Sequence, residues 1–290
     1  MDSNHLNKCC KPGGRWRRPK QIAVSFLAVS LCSSGAFSQT GAPGTATPNP
    51  ELRRYHLEFT SFDNNVSNQF GHWSGGGLRL SYKWSDRVTT TGQVFAQRRP
   101  GEIEPLGGVS TLIEWSKWFY TDMAVSGGGP DDPAAFFPRV RYDGTANFKP
   151  LWIPGLILNV GLTRLYFGSP TSGRVFRPGA VFYWRRFVFQ GNVYFNNVRP
   201  GNRKSKSANG AMQYGQEGRY WFGLVGGGGR EAWQTLALTP QDTEFTSYSG
   251  SVFLRKWLAP NYGIHASYSY SVKRTAYRIH GLEFRFFLDF

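Results

Sequence analysis

Cysteine is confined to the start of the chain. Cys9, Cys10 and Cys32 are the three among 290 residues, so everything after residue 32 can form neither a disulfide nor a thiolate metal site. Acidic charge is scarce too: 18 Asp and Glu stand against 34 Lys and Arg, a formal net charge of +16. Such a surplus favours anionic partners. Long apolar runs are missing. The segment IAVSFLAVSLC (22–32) is well short of the roughly 20 residues that a transmembrane helix needs. A mean hydropathy of −0.40 also argues against a helical membrane protein. It leaves open a membrane barrel, whose lumen face is polar. From Leu52 onward no extended helical periodicity occurs either.

The short apolar run has a different meaning. Lys8, Lys11, Arg15, Arg17, Arg18 and Lys20 precede it, and Ala36-Phe37-Ser38 follows with small residues at the two recognition positions. This order predicts a secretory signal peptide over 1–38, cleaved after Ser38. Cleavage removes six Lys/Arg and one Asp, leaving +11. Export disfavours nucleic acid as a partner and favours anionic lipid, lipopolysaccharide or an anionic polysaccharide. Residues 39–52, rich in Pro, Thr and Gly, predict a flexible periplasmic linker.

Aromatic residues (16%) and 35 glycines dominate what remains, and both suit twisted strands and tight turns. The period is two. Leu78, Leu80, Tyr82 and Trp84 alternate with Arg79, Ser81 and Lys83; Leu156, Leu158, Val160 and Leu162 alternate with Asn159, Gly161 and Thr163. The chain closes on Leu282, Phe284, Phe286, Leu288 and Phe290, opposed by Glu283, Arg285 and Asp289, with Phe287 an apolar intruder on the charged side. Fourteen such segments run from 53–62 to 278–290. Two of them, 108–115 and 206–214, are short enough that twelve is the alternative. Every odd connection reads as long and polar, among them DNNVSNQFGHWS, RPGEIEPLGG and VRPGNRKSKSA, and every even one as short. The fold class that fits is all-β: a transmembrane antiparallel up-and-down barrel over 53–290, closed by pairing of the C-terminal strand with the first, with both termini periplasmic. Trp84, Trp115, Trp118, Trp152, Trp184, Trp257 and Phe290 would form the girdle at the short-turn side.

Two resemblances sharpen this. The tail, with Gly281, Phe284, Phe286 and terminal Phe290, is similar to the signal by which the barrel-assembly machinery recognises a last strand, and implies that machinery as a partner. The stretches FPRVRYDGTANFKPLWIPGLILNVGLTRLYF (from Phe137), RPGAVFYWRRFVFQGNVYF (177–195) and LRKWLAPNYGIHASYSYS (254–271) resemble the YaiO family of outer-membrane β-barrels. That resemblance implies a fold and a location and brings no catalytic residue, cofactor or metal with it.

Chemistry-bearing residues are few. On the strand parity expected to face the lumen lie Arg54, His56, Glu58, Arg79, Lys83, Arg139, Arg141, Asp143, His265, Glu283 and Arg285, since charge on the lipid side is costly. They either line a weakly anion-selective channel or pair with one another and narrow it. His56 and His265, brought together by closure near Ser267, Ser269 and Ser271, are the components a lipid-hydrolysing triad would need; ordinary polar lumen residues are the simpler reading. Arg199, Arg203, Lys204 and Lys206 form a basic run expected in one outer loop, suited to lipopolysaccharide phosphates or to plain solvation. Asp131, Asp132, Glu102 and Glu104 lack the dense spacing of a calcium loop, and the Gly226–Gly229 run lacks the Lys-Ser/Thr and helix of a phosphate loop. The leading expectation is a non-enzymatic pore or envelope scaffold linked to polysaccharide or small-solute passage. The alternative is a lipid- or lipopolysaccharide-modifying barrel enzyme.

Overall fold

The computed structural model describes residues 54–68, 70–131, 135, 137–231, 245–273 and 277–290. The expected signal peptide and nearly all of the expected linker lie outside these residues. Fourteen strands follow one another: β1 (Tyr55–Val66), β2 (Gly71–Ser85), β3 (Val88–Arg99), β4 (Glu102–Ser116), β5 (Phe119–Gly127), β6 (Val140–Phe148), β7 (Leu156–Tyr166), β8 (Ser172–Trp184), β9 (Phe187–Arg199), β10 (Arg203–Gln216), β11 (Tyr220–Glu231), β12 (Phe245–Ala259), β13 (Tyr262–Lys273) and β14 (Tyr277–Asp289). Each pairs antiparallel with its neighbours in the chain, and β14 pairs with β1 to close the barrel.

Closure is sealed at the chain end. Tyr55 N donates to Phe290 O at 2.8 Å and Phe290 N to Tyr55 O at 3.0 Å, and the two rings stack with centroids 5.2 Å apart. With β1 paired on both sides, the sheet has no free edge to leave backbone groups unsatisfied in hydrocarbon. The terminal aromatic therefore fastens the first strand to the last.

The alternation sorts side chains as expected. Outward lie Phe59, Leu80, Val94, Leu162, Leu282 and Phe284, all exposed, which in a membrane is the surface lipid covers. Trp84, Trp115, Trp118, Trp152, Trp184 and Phe290 stand exposed at the end where the termini lie, a girdle at one boundary of that band. Trp257 does not join them: it turns inward and is buried.

The expected difference in loop length holds only in part: the even connections are short and the β5–β6 connection is long, but three of the odd connections are not, and the one after β11 lies outside the described residues. DNNVSNQFGHWS, RPGEIEPLGG and VRPGNRKSKSA are mostly strand, and the two segments that raised the twelve-strand alternative are the inner parts of the long strands β4 and β10. Polar residues looked like loop because they leave the lipid band, but backbone pairing continues past it. A strand of 15 residues such as β2 covers about 50 Å of chain, well beyond an apolar band about 25 Å tall even when tilted. Several reversals at this far end are tight. The Arg-Pro-Gly sequence recurs at two of them, Arg99-Pro100-Gly101 and Arg199-Pro200-Gly201, where Gly101 and Gly201 both take φ +87°, a conformation only glycine adopts readily. Between β5 and β6 the connection is longer, and from it Phe137 (1% exposed) packs on the inward-facing Phe95 and Leu106.

Candidate functional site

The lumen is built from the inward parity of all fourteen strands, and it has two unlike regions. In the half nearer the termini, charge is concentrated on β1, β2, β12, β13 and β14. Glu58 is the centre, with 4% of its surface exposed. Arg285 Nη1 donates to its Oε1 at 3.1 Å; Arg79 Nη1 lies 3.9 Å away, Arg255 Nη1 4.0 Å and His56 Nε2 3.7 Å. Arg285 also donates to Glu283 at 2.8 Å through Nε, and His56 Nδ1 donates to Asp289 Oδ1 at 2.6 Å. Three guanidiniums thus face three carboxylates. The network consumes its own charge, which is how a buried carboxylate remains tolerable.

Beside it lies an apolar patch. Val188, Trp221, Trp257 and Phe287 form a buried cluster, backed by Val181, Tyr183 and Phe253, covering the inner wall from β8 to β14. Phe287, the apolar intruder of the last strand, is 0% exposed. Arg255 joins the two regions: its guanidinium carbon lies 4.0 Å over Phe287 and 5.0 Å over Trp257, while its Nη1 faces Glu58.

These rings do not all point at the barrel axis. Phe287 is opposite Gly263, Phe253 opposite Gly223, Phe62 opposite Gly75 and Phe95 opposite Gly77. A Cβ on any of these glycines would run into the facing ring. Each ring therefore lies down along the wall over the neighbouring strand, which keeps its bulk out of the bore.

Farther from the termini the wall changes. On β10 to β14 a run of inward positions is small, namely Ser207, Ala211, Gly227, Ser249, Ser251, Ser267, Ser269, Ser271 and Gly281, and beyond it Tyr277 and Ile279 turn inward and are buried with Val66 and Trp73. Ser249 faces inward and is nonetheless exposed, and Ser251, Ser267, Ser269 and Ser271 are half-buried, so side chains do not fill the space against this wall. On β6 to β10, Asn147, Asn159, Gly179, Asn192 and Asn209 follow one another in register. Asn192 Nδ2 donates to Asn209 Oδ1 at 3.1 Å, and the Asn192 and Asn159 amide oxygens converge over Gly179. Nearby, Arg141 grips Asp143 through Nε and Nη2 at 2.6 and 2.8 Å, and Thr163 donates to the same carboxylate at 2.6 Å. Arg177 donates to Thr145 at 2.9 Å.

Most of the expected lumen residues are where parity put them: His56, Glu58, Arg79, Arg141, Asp143, His265, Glu283 and Arg285 face inward. Lys83 reaches the rim and pairs with Asp86 at 2.8 Å, a contact that holds the exposed Asp86 carboxyl below the usual carboxylate range. Arg54 is exposed ahead of β1. Arg139 is not in the lumen at all. It precedes β6 and binds Asp131 at 2.7 Å in the far-end connection, both more than half exposed; parity carried past a strand end has no wall to refer to. Arg139→Ala should accordingly leave the ion preference of the reconstituted barrel unchanged, and a shift in reversal potential under a salt gradient would contradict this placement.

The basic run is also relocated. Only Pro200–Asn202 form the turn, so Arg199 ends β9 and Arg203, Lys204 and Lys206 belong to β10. Arg203 faces inward and the other three outward. Glu104 likewise belongs to β4, buried and accepting from Phe137 N at 2.9 Å. Sequence reasoning did not single out Arg255, Asp289, Arg177 or the Trp221–Phe287 cluster. Parity was the available signal for Arg255 and Asp289; the packing of Trp221 on Phe287, three strands away, had none.

The components of a hydrolytic triad are not assembled. The His56 ring is held by Asp289 and Glu58; His265 lies 3.8 Å from Glu283 and stacks on Phe253 at 5.3 Å. Among the described residues neither ring has a serine partner.

Residues 55–234 match the family described as the YaiO membrane beta barrel domain, so the match ends before the third stretch quoted above. Among solved structures, the CymD monoaromatic hydrocarbon channel superposes with a TM-score of 0.56 at 9% identity, covering 82% of this chain and 89% of that one. A bacterial polysaccharide outer membrane secretin gives 0.52 at 6% identity, covering 82% and 99%. At such identities these likenesses concern the fold. A search of curated proteins finds no match.

Proposed function

The chain belongs to the YaiO family of outer-membrane β-barrels, and from that premise we propose that it is a narrow, non-enzymatic pore for small polar solutes, exported by its signal peptide, with both termini in the periplasm. The observation that carries the reading is the small-residue wall of β10 to β14, on which inward-facing Ser249 is exposed. A barrel serving only as scaffold would gain stability by filling that space. The two structural neighbours are named for an aromatic hydrocarbon and a polysaccharide. Those cargoes differ so much in polarity that the choice of solute falls to the lumen's own chemistry.

That chemistry favours uncharged polar solutes. The clusters around Glu58 and Asp143 are internally paired and leave little net field, whereas the serine wall and the asparagine row offer hydroxyls and amides, the groups that bind sugars and similar neutral polyols. The apolar cluster near the termini narrows the path. Both imidazoles being held by carboxylates or an aromatic ring supports the non-enzymatic reading over lipid hydrolysis.

Single-channel recording of the refolded chain in a planar bilayer tests this. Discrete steps with weak ion preference are expected, and Arg141→Ala should tilt the preference toward cations by exposing Asp143. A silent bilayer, with folding verified by heat-modifiable gel mobility, would replace the pore with a closed scaffold.

A further inference from the structure

From Gly144 to Gln216 the chain contains no acidic residue, yet it carries Lys149, Arg164, Arg174, Arg177, Arg185, Arg186, Arg199, Arg203, Lys204 and Lys206. The barrel divides these by position. Arg185 and Arg186 fall in the turn after β8 at the termini end. Arg177 and Arg203 face the lumen. Arg164, Arg174, Arg199, Lys204 and Lys206 all emerge on the outer surface at the far end, exposed, on the adjoining strands β7 to β10.

Their register is specific. Arg164 lies directly opposite Arg174, Arg174 opposite Asn197, and Asn197 opposite Lys204. Lys206 follows on the same strand, opposite Phe195, with its Nζ 5.6 Å from that ring. Like charges directly opposed across a sheet are destabilising. Among the described residues none of these cations has a carboxylate partner, so the arrangement lacks its counter-charge. At about 4.8 Å per strand, Arg164 and Lys204 stand roughly 14 Å apart.

The neighbouring outward residues define the missing partner. One pleat closer to the termini on the same strands come Leu162, Phe176 and Phe195, and below them Val160 and Val193, the start of the lipid-covered band. Tyr142 and Tyr166 flank the arginine pair, with Arg164 5.8 Å over the Tyr166 ring. An anion held here has hydrocarbon directly beneath it. We infer that the outer face of β7 to β10 is a binding site for a phosphorylated glycolipid of the outer leaflet, with one phosphate bridging Arg164 and Arg174 and a second, about 10–14 Å away, held by Lys204 and Lys206. The site rests on the outer-membrane placement of the barrel and not on the pore reading, because none of its residues reaches the lumen.

Native mass spectrometry of the full refolded chain in detergent provides the test, with bisphosphorylated lipid A as the probe and its dephosphorylated form as the comparison. The expected result is a one-to-one adduct specific to the phosphorylated lipid. In Arg164→Gln/Arg174→Gln its dissociation constant should rise at least about ten-fold, while heat-modifiable mobility and single-channel conductance stay as in the unaltered chain. Arg185→Gln/Arg186→Gln, which removes the same charge at the other end, should bind normally. Equal binding of the dephosphorylated lipid, unchanged affinity in the first pair, or an equal loss in the second pair would each overturn the assignment. Full displacement by millimolar inorganic phosphate would do so as well, because it would show a site for the free anion with no contribution from the acyl chains.

Discussion

Glu58→Ala is expected to destabilise the folded barrel by roughly 3–5 kcal/mol, the range found when one member of a buried ion pair is removed. Its carboxylate lies 3.1–4.0 Å from Arg285, Arg79 and Arg255, and without it these cations lose the acceptor they share. Arg285 keeps Glu283 at 2.7 Å; Arg79 keeps a hydrogen bond to the neutral Gln93 at 3.2 Å; Arg255 is left against the aromatic rings. Glu58 is on β1 and Arg285 on β14, so the damage falls at the closure seam. Urea unfolding in lipid vesicles, followed by heat-modifiable mobility, measures the loss. Adding Arg255→Met, which removes an orphaned cation but keeps apolar bulk over Phe287, should recover part of it. A urea unfolding curve unchanged by Glu58→Ala would mean that water already compensates the cations and that the cluster does not hold the seam.

Phe287 carries the second large effect. Phe287→Ala should cost roughly 3–5 kcal/mol, as for other buried Phe truncations, and should also widen the path at the termini end. The ring is 0% exposed, packs edge-on against Trp257 at 5.1 Å and supports the Arg255 guanidinium. Losing it lets both retract, so single-channel conductance is expected to rise. The converse change is made from the other strand. Gly263→Val puts a branched side chain where the Phe287 ring lies, which forces the ring toward the axis, and conductance should fall. Opposite shifts from two directly paired residues would locate the constriction there. If neither variant changes the current while both fold, the narrowest point is elsewhere.

These predictions depend on features with different visibility in the sequence. Alternation between Tyr55 and Phe290 determined the barrel, its closure and the inward sense of Glu58, Arg79 and Arg285, while the strand number stayed between fourteen and twelve until the pairing decided it. Side chains on a strand alternate by covalent geometry, and lipid punishes any other arrangement. Three of the far-end loops were overestimated because polarity marks where a strand leaves the membrane and says nothing about where its pairing ends; Lys204 and Lys206 are as polar in β10 as they would be in a loop. Arg139 was misassigned because parity has no meaning beyond the last hydrogen-bonded residue.

Other features come only from the closed sheet. Register places Gly263 under Phe287 and Arg164 beside Arg174, and a one-residue slip would undo either pair. Closure brings His56 to Asp289 across 233 positions of chain. The sequence by itself determined which side of the wall most strand residues face, because that follows from one strand at a time. The tertiary structure alone decided which residues share a height and touch, because height depends on how fourteen strands are staggered against one another, and no single strand encodes that.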